Sequence, residues 1–198
     1  IPMYTKNLLF EEAKLFCDWY VPVNISKQRV KLINKKLIKK IKFLLSKLKQ
    51  KNDTFVHRDF HVSNLMMFKN RYGVIDTQDA VVGNKAYDLA SLIDDVRFKT
   101  SKKLKKQVFE YYLNINKAEL DLKKFKNDFD ILSVLRNLKI IGIFTRLAKR
   151  DKKYNYLKLI PYTWKLIELR INDNFLLNDL KIFLDKNFSK KIRNRNEN

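Results

Sequence analysis

One stretch constrains this chain more than any other: Val56-His57-Arg58-Asp59-Phe60-His61-Val62-Ser63-Asn64-Leu65-Met66-Met67, followed by Gly73-Val74-Ile75-Asp76-Thr77-Gln78-Asp79-Ala80. It holds a carboxylate (Asp59), a side-chain amide five residues on (Asn64) and a second carboxylate (Asp76) twelve residues later. Apolar β-formers flank each polar cluster and read as short buried strands. Lys69 to Gly73 reads as a turn between two of them. The expected local structure is a loop over 57–64 and a hairpin over 65–75, with Asp76 at the strand end. That arrangement folds Asp59, Asn64 and Asp76 toward one point.

Phosphoryl transfer suits such a cluster. The reaction needs a base beside the acceptor hydroxyl and oxygen ligands for magnesium on the phosphates. Magnesium takes few protein oxygens and keeps waters and phosphate oxygens for the rest. Asp59 is the expected base; Asn64 and Asp76 are the expected magnesium ligands.

His57-x-Asp59-x-x-x-x-Asn64, with Ile75-Asp76 behind it, resembles the catalytic loop and metal-binding segment of the aminoglycoside phosphotransferase and choline kinase superfamily. The longer pattern, HRDFHxxNLM, GVID-x-QDA and AYDLASL-x-DD, is similar to one branch, the anomeric kinases of N-acetylmuramate and N-acetylglucosamine in cell-wall recycling. The resemblance implies an α+β, mainly α fold: the C-terminal lobe of a protein-kinase-like structure, with helices around a small catalytic hairpin. It implies ATP and Mg2+ as cofactors, a small-molecule hydroxyl as acceptor, and a cytoplasmic enzyme. It also implies that His57 organises the loop and that Asp88, in Ala86-Tyr87-Asp88-Leu89, braces it through backbone hydrogen bonds. His61, Gln78 and Asp79 stand as candidate substrate contacts, each with packing or turn stabilisation as the alternative. Arg146 and Arg150 are candidates to pair with an acceptor carboxylate, where a planar bidentate donor fits; a helix-end cation is the alternative. At Thr77 the family usually carries Phe, which leaves the local packing open.

The same resemblance leads to the expectation of a glycine-rich strand and a strand lysine ahead of the loop. The chain has three glycines, Gly73, Gly83 and Gly142, none upstream of Asp59. The expectation is therefore a catalytic lobe over 1–198 without the nucleotide-binding lobe, as a truncated or partial sequence.

Composition excludes some classes. The chain has 198 residues, 45% of them hydrophobic, which reads as a single folded domain. A lone cysteine, Cys17, precludes an internal disulfide and reads as a small helix-face residue. No apolar run spans a bilayer. The formal net charge of +22 raises nucleic acid as a partner, but residues 53–95 hold seven acids and four bases. An acidic site in a basic chain suits a metal–nucleotide centre and not a phosphate-backbone groove, so no specific nucleic acid is expected. Two other readings stay open: a metal-dependent hydrolase built on His57-x-Asp59-x-His61, and a kinase-like scaffold or basic binding module without activity.

Elsewhere the periodicity is helical. Asn7 to Tyr20 reads as a helix ended ahead of Pro22. Ser26 is a candidate N-cap for a second helix, with Ile33, Leu37, Ile41 and Leu44 as its apolar stripe. From Lys27 to Lys51 there are eleven Lys or Arg and no acid. That run reads as a solvated face, with a surface for membrane lipid or nucleic acid as the alternative. Helices follow around Leu104 to Tyr112, Leu120 to Leu147, Tyr162 to Ile171 and Leu176 to Phe188. Asp94 and Asp95 read as surface residues, and 190–198 as a frayed tail.

Overall fold

A computed structural model describes residues 1–195 and divides the chain into two compact units. The helices are α1 (Lys6–Leu15), α2 (Val21–Asn24), α3 (Lys27–Ser46), α4 (Ala86–Ile93), α5 (Lys102–Ile115), α6 (Leu122–Asp151), α7 (Ile160–Ile171), α8 (Asn178–Asn187) and α9 (Lys190–Arg193). The strands are β1 (Asn52–Val56), β2 (Leu65–Phe68), β3 (Arg71–Val74) and β4 (Val81–Asn84). The fold is α+β and mainly α, as the sequence implied.

The first unit comprises Ile1–Thr5 and Leu48–Ser133. It holds two antiparallel ribbons, β1 with β4 and β2 with β3. The β1–β4 pair went unread in the sequence because Val81-Val82-Gly83-Asn84 is too short to show a period. The N-terminal segment lies along β4, with Tyr4 N–H donating to the Val82 carbonyl at 2.8 Å. Gly83 permits this approach: a Cβ there would sit 3.0 Å from Tyr4 Cβ. The buried Asp128 carboxylate is satisfied by the Lys49 and Gln50 amides (2.8 and 2.7 Å) and by Asn84 Nδ2 (2.7 Å). A buried charge persists when its lone pairs are filled in this way. Asp94 and Asp95, read from sequence as surface residues, are buried as well. Asp94 accepts from Ser133 Oγ (2.6 Å) and pairs with Lys105 Nζ (3.5 Å).

The second unit comprises Lys6–Lys47 and Val134–Asn198. Its centre is an aromatic cluster of Phe16, Tyr20, Trp164 and Phe188, with ring centroids 4.9–6.0 Å apart in tilted and edge-on pairs. Trp164 Nε1–H donates to Tyr20 Oη at 3.1 Å, so the indole is not left unpaired in the core. Burial pushes the Tyr20 hydroxyl and the Cys17 thiol each up to about 12, which leaves Cys17 a small core residue without nucleophile character. Gly142 of α6 meets the turn after α1 so closely that a Cβ would lie 2.4 Å from the Leu15 carbonyl carbon.

Three local readings change. Pro22 does not end the first helix. A π-turn over Phe16–Tyr20, closed by Val21 N–H to the Phe16 carbonyl, carries the chain into α2, where Pro22 sits in the first turn and needs no N–H. Ser26 does occupy the N-cap of α3, but its side chain makes no capping bond. The tail is not frayed from residue 190: Lys190–Arg193 is helical, and the buried Arg193 guanidinium binds Glu168 (2.6 Å), Asp185 (2.7 Å) and the Phe188 carbonyl (2.8 Å). The part of that reading that falls on 196–198 lies outside the described residues.

Candidate active site

The loop that follows β1 is held at nearly every residue. Asp88, on the first turn of α4, accepts the His57 and Arg58 amides, one on each carboxylate oxygen (2.6 and 3.1 Å). The buried Asp95 accepts the Val62 amide at 3.1 Å through one oxygen and the Arg97 amide at 2.9 Å through the other. Hydrogen bonds from neutral amides to a carboxylate are stronger than neutral pairs, so two acids, one from the first turn of α4 and one just past its C-terminal end, hold the loop at His57–Arg58 and at Val62. His57 Nε2–H donates to the Ile75 carbonyl at 2.9 Å, and Ile75 N–H donates to the Asn64 carbonyl at 3.1 Å. These two bonds draw the start of the Asp76 segment onto the loop.

Asn64 is buried, and its Nδ2 donates to the Asp59 carbonyl at 2.9 Å. That bond sets the amide's orientation and leaves Oδ1 as its acceptor side. Asp76 follows in the left-handed region at φ 70°, and Gln78 Nε2 donates to its Oδ1 at 2.6 Å. Arg58 is also left-handed, at φ 72°, with its guanidinium bonded to the Asp79 carbonyl at 3.2 Å. Positive φ costs a non-glycine residue roughly 1 kcal/mol, so two such residues flanking one loop mark stored strain. The Asp59 carboxylate is exposed and makes no hydrogen bond or ion pair to any described residue.

The β2–β3 ribbon closes through Lys69-Asn70, at φ 45° and 60°, the positive pair that a two-residue type I′ turn requires. The turn is thus tighter than the expected Lys69–Gly73, and Gly73 lies within β3 opposite Met66. The strands are not buried: Phe68 is 72% and Tyr72 83% exposed. A lone two-stranded ribbon needs a second layer for burial, and no described element supplies one. Thr77 helps line a hollow of about 190 Å³, with Phe55, Phe60 and Val74 among its walls.

The remaining predicted residues scatter. His61 is buried, its amide donating to the Asp59 carbonyl at 3.0 Å. The Asp79 side chain is exposed. Arg146 and Arg150 belong to the second unit. Arg150 forks onto its neighbour Asp151 at 2.6 and 3.0 Å, which holds the Asp151 carboxyl below its ordinary range. Asp95 and Arg58 were missed as contributors to the loop. The Asp94-Asp95 pair six and seven residues after Asp88 was the available sign.

The donor set fits a hard cation. Besides the Asp59 carboxylate, Asn64 Oδ1 and Asp76 Oδ2 make no hydrogen bond to any described residue. Among the described residues, no three His, Cys, Asp or Glu side chains gather to hold an ion by themselves. Two sparse oxygens match Mg2+, which fills its sphere with water and phosphate. The alternating His57-Asp59-His61 zinc reading fits poorly, because among the described residues those three side chains do not gather into one group.

The sequence matches the model of the phosphotransferase enzyme family over residues 7–122, more than half of the chain. The chain belongs to that family. It is 32% identical over 166 residues to the N-acetylmuramate/N-acetylglucosamine kinase of Neisseria meningitidis serogroup B, covering 81% of this chain and 50% of that protein. It is 33% identical over 180 residues to the Pseudomonas aeruginosa protein of the same name (86% and 52%), and 34% identical over 137 residues to the Caulobacter vibrioides one (67% and 37%). The phosphotransferase family match includes the whole loop, the β2–β3 ribbon and α4, which together carry the cluster. The chain spans about half the length of the curated relatives it matches, or less.

Proposed function

We propose that this protein is a cytoplasmic small-molecule kinase that moves the γ-phosphoryl group of ATP, with Mg2+, to a hydroxyl of an amino sugar. The acceptor class is N-acetylmuramate or N-acetylglucosamine, phosphorylated at the anomeric oxygen, and the process served is cell-wall recycling. One observation carries the reading: an exposed, unpartnered Asp59 carboxylate stands on a loop whose backbone is fixed by Asp88, Asp95 and Asn64. The similarity to three kinases named for these sugars supports the acceptor class.

In this reading Asp59 accepts a hydrogen bond from the acceptor hydroxyl and takes its proton as the oxygen attacks. The attacking oxygen gains the phosphoryl group as the bond to the leaving ADP oxygen breaks. Asn64 Oδ1 and Asp76 would hold the magnesium, which when bound would neutralise phosphate charge. Gln78 holds one oxygen of the Asp76 carboxylate and so limits its rotation. His57 and Asp88 hold the loop so that Asp59 stays within reach of the hydroxyl, and positioning of this kind is most of what phosphoryl transfer asks of a protein. His61 and Asp79 are assigned to acceptor hydroxyls, and Arg146 or Arg150 to the lactyl carboxylate of N-acetylmuramate, on the strength of the family resemblance alone.

The test is a transfer assay on the protein made from its complete coding sequence, with ATP and Mg2+. N-acetylmuramate, N-acetylglucosamine, choline and an aminoglycoside are offered separately. The reading requires an acid-labile sugar phosphate that no longer reduces copper reagent. Transfer to choline or the aminoglycoside but to neither sugar would overturn it.

A further inference from the structure

Helix α3 carries no acid over its twenty residues, and the function proposed above makes no use of it. Its inner stripe, Ile33, Leu37, Ile41 and Leu44, is buried. A second line of residues, Leu32, Lys36, Lys39 and Phe43, follows spacings of four, three and four, and so runs along one face. This face is open: Leu32 is 52% and Phe43 45% exposed. Beside it α8 presents Ile182, 67% exposed, and Lys186. Together α3 and α8 wall an open groove of about 590 Å³.

The charges in the groove are one-sided. Asp179 is its single acid, and it is taken by Lys40, whose ammonium also lies 5.5 Å from the centre of the Phe183 ring. Lys36, Lys39 and Lys186 make no ion pair or hydrogen bond to any described residue. The surface therefore combines Lys36, Lys39 and Lys186, unpaired among the described residues, with the exposed apolar side chains Leu32, Phe43 and Ile182.

We propose that this α3–α8 face docks on the surface of an anionic lipid bilayer. The combination of groups selects that partner. A nucleic acid offers phosphates to the lysines but leaves Leu32, Phe43 and Ile182 in water. It finds no stacking platform either, since Lys47 Nζ already covers the Phe43 ring at 4.9 Å. A bilayer interface offers anionic headgroups and, a few ångströms deeper, hydrocarbon, so both kinds of side chain are used at once. The contact is peripheral: among the described residues no helix is long and apolar enough to cross a membrane.

The test is co-sedimentation of the protein, made from its complete coding sequence, with vesicles of phosphatidylcholine alone or with about one-third phosphatidylglycerol. Binding is expected to the anionic vesicles and not to the neutral ones. Changing Lys36, Lys39 and Lys186 together to Gln should weaken it roughly 100-fold. The same change at Lys102, Lys103 and Lys117, a charge-matched control elsewhere on the surface, should weaken it less than about fivefold. Phe43→Ser with Ile182→Ser should keep binding at about 50 mM salt and lose it more than tenfold at about 150 mM. Phe43→Trp gives a reading without charge change: its emission should shift to the blue on anionic vesicles. An unshifted emission, equal losses in the two lysine triples, or equal binding to neutral vesicles would overturn the proposal. Tighter binding to duplex nucleic acid that ignores Phe43 and Ile182 would also overturn it.

Discussion

The two units hold their key residues by different means. In the second, Phe16, Tyr20, Trp164 and Phe188 fix one another by side-chain contact, with a single hydrogen bond between Trp164 and Tyr20. In the first, the loop bearing Asp59 has little apolar packing of its own. Its shape is set by carboxylates that accept backbone amides: Asp88 at one end, Asp95 at the other. Packing fixes side chains against one another, whereas a carboxylate that accepts two backbone amides fixes the backbone itself. A group that must meet a hydroxyl at hydrogen-bond distance is better served by the second arrangement. The expectation is that stability resides with the aromatic cluster and rate with the carboxylates.

The strongest way to break that contrast is Trp164→Ala. It should cost about 3–5 kcal/mol of unfolding free energy, read from urea titration, by emptying the centre of the cluster. Transfer per folded molecule should change little. Next is Asp88→Ala, which frees the His57 and Arg58 amides; it should cost only about 2 kcal/mol, because loop amides recover water. The same variant should lower turnover roughly 100-fold through loss of alignment. If Asp88→Ala destabilised as much as Trp164→Ala while sparing turnover, the carboxylate would be ordinary core glue and the contrast would fail.

A smaller change, of opposite sign, sharpens the picture. Thr77→Phe adds a ring that should fill the hollow between Phe55, Phe60 and Val74. It should stabilise by about 1 kcal/mol, seen as a higher melting temperature. A lower melting temperature would mean that the hollow is not the seat of that ring.

The contrast also explains what could be read in the sequence. The helices of the second unit were legible because their apolar spacing states which side is inside, as in Ile33, Leu37, Ile41 and Leu44. The neighbourhood of Asp59, Asn64 and Asp76 was legible from turn chemistry and from the motif. The bonds that arrange it were less so. Asp94 and Asp95 look alike in sequence, both next to a helix end, and only the fold shows one closing on Ser133 and Lys105 and the other on Val62 and Arg97. Burial of β2 and β3 was misread because an apolar run signals a covered surface only when another layer is present. The π-turn at Phe16–Tyr20 was hidden for a different reason: a proline normally marks a helix end, and the wide turn removes the conflict that makes it so.

The central claim is that Asp59 is the base and contributes nothing to the fold. The direct measurement is phosphate transfer by Asp59→Asn beside the unaltered protein, with a urea titration of each. An exposed carboxylate without partners predicts the same unfolding midpoint and a turnover at least about 1000-fold lower. Turnover within a few-fold of the unaltered protein at the same stability would contradict the claim.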